Sequence, residues 1–341
     1  MKIEPLTHEL YDEYNDFLLR HEESLFYYSL KFKDFFKKLL GCREDYLLAT
    51  EAGKITGVLP LMYVDGRYGR IYNSLPYFGS NGGIIANNRE ASQALVAGYN
   101  NRAGDNRVAA ATVISNPLLE QEYPGLDYDF TDTRISMLTD LRMENPEEEL
   151  LSRIDDAARR NIKKALNSGV RVEIDNDQVG FLKRTHQESM SAIGGRAKSD
   201  AFFQLFPSHF TPGQDYNIYI AKKDGKLISA LLLFYYHKTV EYYTPVTDNS
   251  YRTYQPLALI IFQAMIDACR KGYWWWNWGG TWLTQTGVYR FKKKWAPMET
   301  RYIYYTKVNN QELLRISPDM LLKEYENFFV IPFSALNRGE K

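Results

Sequence analysis

The chain has 341 residues with 42 basic and 42 acidic side chains, so its net charge is zero and only a local basic cluster can attract a polyanion. Hydrophobic residues make up 45% and charged residues 25%, as in a globular protein with enough apolar material for two domains. No segment approaches the ~20 consecutive apolar residues of a membrane-spanning helix.

The N-terminal segment is polar and acidic, unlike a signal peptide. The chain has two cysteines, Cys42 and Cys269, which lie far apart and belong to no recognisable motif. These features predict a cytoplasmic protein without structural disulfides.

Two segments share one pattern at an offset of 172 residues, the separation of Gly53 from Gly225. Residues 46–64 and 218–236 each contain a strand, a Gly-Lys turn and a second strand rich in β-branched and aromatic residues, which indicates a β-hairpin. After each hairpin the pattern predicts a strand, a helix and another strand, at 67–73, 90–101 and 108–115 in the first copy and at 239–243, 256–271 and 273–278 in the second. A repeat of this period favours a duplicated domain over a solenoid.

The sequence therefore predicts an α/β (α+β) fold with two domains, residues 1–145 and 146–341. The boundary is placed at Asn145-Pro146, between a strand at 134–141 and a long helix over 147–166. Further elements are predicted in the second domain, namely a strand at 170–174 and helices at 177–190, at 200–210 with Asp200 as N-cap, and at 319–328.

Several catalytic motifs are absent from the sequence. It contains no HExxH, paired CxxC, GxSxG, GxxxxGK[ST] or GxGxxG after a strand, and its five histidines are dispersed. The sequence accordingly predicts neither a metal site nor a covalent enzyme nucleophile.

Residues 273–305 combine a tryptophan-rich strand, the pair Gly279-Gly280 and a short basic helix over 287–295. One interpretation is a strand, a turn and a helix with a solvated basic face. The other is a site for a phosphate or a developing oxyanion, where backbone N–H groups and cationic side chains converge. The residues alone leave both interpretations open.

Four segments in this order, 159–173, 219–234, 251–273 and 287–303, resemble the Fem family of aminoacyl-transferring enzymes, which build the peptide bridges of peptidoglycan. Residues 74–85 resemble a Leu-Pro…Gly-Gly segment of the family's first domain. The resemblance implies two GNAT-like domains, each a mixed, mostly antiparallel sheet flanked by helices. The chain lacks the long coiled-coil insertion of some members and is similar to the compact ones.

The resemblance assigns Lys292 and Phe291 to the reaction centre as catalytic residues, and Arg196 to a region that binds acceptor phosphates. It predicts further substrate-binding residues, namely Arg160, Asn161, Lys164, Tyr242, Tyr243, Arg290, Tyr77 and Asn81. Structural roles compete with these assignments: a solvated helix face around Arg160, a surface loop at Arg196, and cross-strand packing for at least one of the two strand tyrosines.

The predicted function is amide formation on an amino group of a cell-envelope precursor, with no bound cofactor. Residues 249–258 are bulky where acyl-CoA-dependent GNAT enzymes have a glycine-rich pyrophosphate loop, which favours aminoacyl-tRNA as co-substrate. The basic runs at 159–164 and 290–294 would attract tRNA, although the zero net charge opposes this. The expected acceptor contains phosphate, and a lipid-linked acceptor would be met peripherally at the membrane. The alternatives are acyl-CoA-dependent N-acylation of an amino sugar of a surface polysaccharide and a non-catalytic GNAT-like binding protein.

Overall fold

The computed structural model describes residues 1–77, 82–119, 122–282 and 285–336, which contain fifteen β-strands and ten α-helices. The strands are β1 (Lys2–Pro5), β2 (Arg43–Glu44), β3 (Leu47–Glu51), β4 (Lys54–Leu59), β5 (Met62–Gly66), β6 (Gly69–Asn73), β7 (Ile85–Ala86), β8 (Val108–Ile114), β9 (Phe130–Asp140), β10 (Arg171–Ile174), β11 (Tyr216–Lys223), β12 (Lys226–Tyr236), β13 (Thr239–Thr247), β14 (Trp275–Thr281) and β15 (Met298–Val308). The helices are α1 (Tyr11–Arg20), α2 (Leu30–Leu40), α3 (Arg89–Ala103), α4 (Pro146–Arg153), α5 (Asp156–Asn167), α6 (Val179–Ala192), α7 (Asp200–His209), α8 (Pro256–Arg270), α9 (Thr286–Lys293) and α10 (Pro318–Glu324). None of these helices is long and apolar enough to cross a membrane.

The chain forms two compact units whose limits differ from the predicted domains. Unit 1 comprises Met1–Arg134 and Thr300–Lys341, and unit 2 comprises Ile135–Glu299. The Asn145-Pro146 signal marks the start of α4, with Pro146 in its first turn, and no change of unit. The C-terminal segment belongs to unit 1 because β15 pairs with β8, a long-range pairing that local sequence patterns do not reveal.

Unit 1 contains two sheets. The first has the order β1-β3-β4-β7 and is antiparallel throughout. In the second, β2, β5, β6, β8 and β15 lie side by side, with β6 and β8 parallel. The helix α3 buries Leu95 and Tyr99 in a core that includes Leu47 and Val113.

Unit 2 has one sheet of order β10-β11-β12-β13-β14-β9, in which only β13 and β14 are parallel. The helix α8 is apolar on most of its surface, as expected for a helix buried against a sheet. Its residues Ile260 and Met265 pack in one core with Leu231, Trp276 and Trp278. Burial of each such side chain contributes about 1.5–3 kcal/mol. The predicted mixed, mostly antiparallel sheets flanked by helices are confirmed.

The two predicted hairpins have the same register at the 172-residue offset. Thr50 pairs with Ile55 in unit 1, and Lys222 pairs with Leu227 in unit 2; each pairing directly follows a β-bulge. The turns also agree, because Ala52 and Asp224 both have φ near +50° and each precedes a glycine with positive φ. This conformation suits the two-residue turns that connect twisted antiparallel strands. The repeat recognised in the sequence therefore holds residue by residue through the hairpins.

Three details of unit 2 differ from the sequence prediction. The long helix over 147–166 is two helices, because Ile154 is extended and Asp155 caps α5 by accepting from the Ala158 N–H. The cap of α7 is Ser199 and not Asp200. The pair Gly279-Gly280 does not end the tryptophan-rich strand but lies within β14.

Candidate active site

The parallel pairing of β13 and β14 is short and stops inside both strands. It extends from Thr239 opposite Trp275 to Glu241 opposite Asn277. Immediately beyond this point each strand has a bulge. Tyr243 is an extra residue in β13 opposite β12, and Trp278 and Gly279 together face one residue of β9. Gly279 has φ of +70°, which a glycine adopts without strain.

Lys292 extends from α9 to this bulge in β14. Its side chain is 6% exposed, and its ammonium donates to Gly279 O at 3.2 Å, Gly280 O at 3.1 Å and Thr281 Oγ1 at 2.9 Å. Burial lowers the pKa of Lys292 to about 8. No carboxylate of the described residues lies within ion-pair distance, so the charge is held by neutral acceptors alone. Such an ammonium can stabilise a negative oxygen that develops beside it.

The neighbouring lysines are in different environments. Lys293 is exposed and forms an ion pair with Glu299, which raises the pKa of Lys293. Lys294 is half-buried at the end of α9, where its carbonyl accepts from the Asp155 N–H. The basic run is therefore not a uniform solvated face, because one of its three lysines is turned inward.

Phe291 is packed against the aromatic core, with its ring edge-on to Trp278 at 6.3 Å between centroids. The Trp278 indole N–H donates to Thr139 Oγ1, whose hydroxyl donates to the Trp295 carbonyl. Phe291 thus packs α9 against Trp278 of β14. Arg290 is exposed on the same helix.

Tyr242 and Tyr243 lie on opposite faces of β13. The Tyr242 ring packs at 4.9 Å from Trp278, between ring centroids, and burial raises the pKa of its hydroxyl. The Tyr243 ring lies 5.7 Å from Phe202 of α7 and 4.9 Å from Phe234. Packing against Trp278 of the neighbouring strand accounts for the position of the Tyr242 ring. Tyr243 is the extra residue of the bulge in β13.

Arg196 is exposed in the loop between α6 and α7. Two residues later, Lys198 places its ammonium 4.9 Å from the centroid of the Tyr243 ring. Burial lowers the pKa of Lys198 to about 8. The Lys198 N–H donates to His186 Nε2, and burial together with the nearby Lys198 charge lowers the pKa of His186 to about 4. Sequence reasoning missed Lys198, although it lies in the same GGRAKSD segment.

The basic helix α5 shows Arg160 and Lys164 on its exposed surface and Asn161 half-buried beside them. Ala158 and Ile162, which lie four residues apart, face the core. Arg159 instead donates to Asp156 and to the carbonyls of Leu151 and Ile154, so it stabilises the start of α5.

Unit 1 has an equivalent parallel pair, β6 and β8, but its strands stay joined at the corresponding end. The Ser74 N–H donates to Thr112 O at 2.9 Å, and the Ile114 N–H donates to Ser74 Oγ at 2.7 Å. Tyr77 follows with φ of +83° and donates its N–H to Asn327 O. Asn81 lies outside the described residues. An opening between parallel strands is therefore a feature of unit 2.

Comparison with known proteins supports a GNAT-like fold. Residues 153–293 match the acetyltransferase (GNAT) domain. No curated protein sequence matches the chain. Among solved structures, FemX superposes with a TM-score of 0.70 at 16% identity, covering 92% of this chain and 98% of FemX.

Two further structures share the fold across most of the chain. The C-terminal domain of a putative lysylphosphatidylglycerol synthetase from Agrobacterium fabrum has a TM-score of 0.59 at 13% identity, covering 95% of this chain and 99% of that domain. A tandem GNAT protein from the clavulanic acid biosynthesis pathway has a TM-score of 0.53 at 12% identity, covering 90% of this chain and 98% of that protein. The chain is therefore an acyltransferase with a tandem GNAT fold similar to that of FemX, and its GNAT domain match lies in residues 153–293.

Proposed function

We propose that the chain transfers an aminoacyl group to an amino group of a cell-envelope precursor, at the opening between β13 and β14. The observation that carries the proposal is the buried Lys292 ammonium beside the bulge of β14, with no carboxylate near it in the described part of the chain. The resemblance to the Fem family and the similarity to FemX support the substrate class.

The reaction requires a neutral amine, a positioned carbonyl and stabilisation of the tetrahedral intermediate. The amine nitrogen attacks the carbonyl carbon of the acyl ester and forms the C–N bond. The C–O bond to the leaving group then breaks, and the amine proton passes to the leaving oxygen. Lys292 would stabilise the negative oxygen, because the ammonium binds an anionic oxygen more strongly than the neutral carbonyls it contacts now.

We propose aminoacyl-tRNA as the donor because of the segment before α8. Residues Asn249–Tyr254 form a 3-10 helix, Gln255 is left-handed, and Pro256 occupies the first turn of α8 without an N–H. This segment offers no glycine-rich backbone to a pyrophosphate. It lies against α5, whose exposed Arg160, Lys163 and Lys164 have no carboxylate within ion-pair distance among the residues that the structure describes.

Charge reversal on α5 tests whether the donor is bound as aminoacyl-tRNA. Substituting Arg160, Lys163 and Lys164 by glutamate should weaken tRNA binding and make its dependence on salt shallower by about three in logarithmic slope, since each phosphate contact releases a counterion. The measurement is tRNA affinity between 50 and 200 mM salt. The matched control reverses three exposed basic residues of unit 1, Arg20, Lys54 and Arg89, and should leave the slope unchanged. Tight acetyl-CoA binding without tRNA affinity at low salt would instead favour the acyl-CoA-dependent alternative.

For the acceptor we propose an amino-bearing precursor that contains phosphate, reached from the cytoplasm and, if lipid-linked, at the membrane surface. Arg196→Ala should raise KM for such an acceptor roughly tenfold or more and change kcat little, because a charge-assisted bond that is equal in ground and transition states is lost. Arg184→Ala on α6, another exposed arginine of unit 2, is the control. An unchanged KM would remove Arg196 from the acceptor site.

A further inference from the structure

Buried polar groups lie where β13 and β14 separate. Glu241 is 1% exposed, Thr244 is 1% exposed and Asn277 is not exposed at all. Within the part of the chain that the structure describes, neither Thr244 Oγ1 nor Asn277 Nδ2 has a hydrogen-bond partner. Polar atoms left unpaired in the interior cost about 1–3 kcal/mol each, so their presence requires an explanation.

The bulge in β13 brings two of these groups to one face of the sheet. Glu241 is opposite Phe234 and Thr244 is opposite Leu232. Leu232 and Phe234 are two residues apart and point to the same side. Glu241 and Thr244 are three apart and would point to opposite sides of a regular strand. Because Tyr243 is an extra residue, the side chains of Glu241 and Thr244 point to the same side of the sheet.

Asn277 completes the group from the neighbouring strand, since it is the direct parallel partner of Glu241. Its orientation is fixed, because its Oδ1 accepts from the Gly279 N–H at 2.8 Å. The amide NH₂ therefore remains as a donor, on the same side of the sheet as Glu241 and Thr244 by the register of the strands. The site thus combines the carboxyl group of Glu241, which also accepts from the Thr239 hydroxyl at 3.4 Å, with a hydroxyl and an amide donor.

We propose that Glu241, Thr244 and Asn277 bind the acceptor's amino group together with an oxygen adjacent to it. The primary amino group donates to the Glu241 carboxyl group and the Thr244 hydroxyl, while the Asn277 amide donates to the adjacent carbonyl or hydroxyl oxygen. This inference rests on the proposed function and deepens it. The chemical class is an amine with a neighbouring oxygen acceptor, as in an α-amino amide or an amino sugar.

Binding of glycinamide to the full chain, followed by ligand-observed NMR titration, tests the site without a donor. Glu241→Gln should weaken glycinamide binding about 10–100-fold, the loss of a charged hydrogen bond. Thr244→Val should weaken it roughly 2–10-fold, the loss of a neutral one. Acetamide, which has no amine, should not bind. Glu173→Gln, an exposed carboxylate in the same unit that pairs with Lys222, is the control and should bind as wild type.

The thermal midpoint of Thr244→Val separates binding from structure. Because its hydroxyl has no partner in the described structure, valine should leave the midpoint unchanged or higher. Absence of glycinamide binding to the wild type, or unchanged binding in both variants, overturns the proposal. If no donor supports acyl transfer but glycinamide binding still depends on Glu241, the proposed function fails and the amine site stands. If transfer occurs with unaltered acceptor KM in both variants, the amine site fails and the function stands.

Discussion

Lys292→Met is expected to lower kcat at saturating donor and acceptor by about 10²–10³, the usual effect of removing one electrostatic contact to a developing oxyanion. Methionine keeps the length and the apolar stem but deletes the charge. The effect should fall on kcat more than on KM, since the negative oxygen exists only in the transition state and the intermediate.

Lys293→Met and Lys294→Met are the matched controls on the same helix, and each should change kcat only a few-fold. Lys292 also holds the bulge of β14 through Gly279 and Gly280, so the thermal midpoint of each variant must be measured alongside its activity. Equal and modest losses in all three variants would show that the run is only an electrostatic patch.

The pH dependence of kcat should follow the protonation of the Lys292 ammonium. Its pKa is lowered to about 8 by burial, and stabilisation of an oxyanion needs the protonated form. We therefore expect kcat to fall above pH 8, approaching tenfold per pH unit. Lys292→Arg, if active, should move this decline to higher pH because a guanidinium remains charged. A rate that rises through pH 8 in the wild type and not in Lys292→Arg would indicate that Lys292 acts as a neutral base.

The pH dependence of the free energy of unfolding tests the lowered pKa of Lys292 independently of activity. The ordinary pKa of 10.5 lies above the folded value, so between pH 8 and 10.5 the unfolded chain binds more protons than the folded one. The free energy of unfolding of the wild type relative to Lys292→Met should therefore increase with pH across that window. Urea unfolding at several pH values measures it, and a flat difference would mean that the pKa of Lys292 is not lowered.

Much of the fold could be predicted because its signals are local. The hairpin turns at Gly53 and Gly225, the proline that begins α8 and the apolar spacing of α5 all lie within a few residues of the structure they determine. The assignment of β15 to unit 1 could not be predicted, since its pairing with β8 joins residues nearly two hundred positions apart.

The candidate site was only partly predictable for the same reason. Lys292 was identified through its family-like motif, but its inward orientation depends on carbonyls contributed by β14. Lys198 and the set formed by Glu241, Thr244 and Asn277 gave no sequence signal. Their proximity arises from a bulge and a parallel strand pairing, and neither leaves a periodic pattern along the chain.

The inserted position of unit 2 has a consequence for synthesis on the ribosome. Residues Ile135–Glu299 form one continuous stretch of the chain, and they leave the ribosome before Thr300–Lys341 does. Until β15 arrives, the residues Ala110–Ile114 of β8 lack the partner strand that pairs with them in the finished protein. An unpaired apolar strand edge invites association with other chains. We therefore expect nascent chains truncated before β15 to be the aggregation-prone species, even though their GNAT domain is already complete.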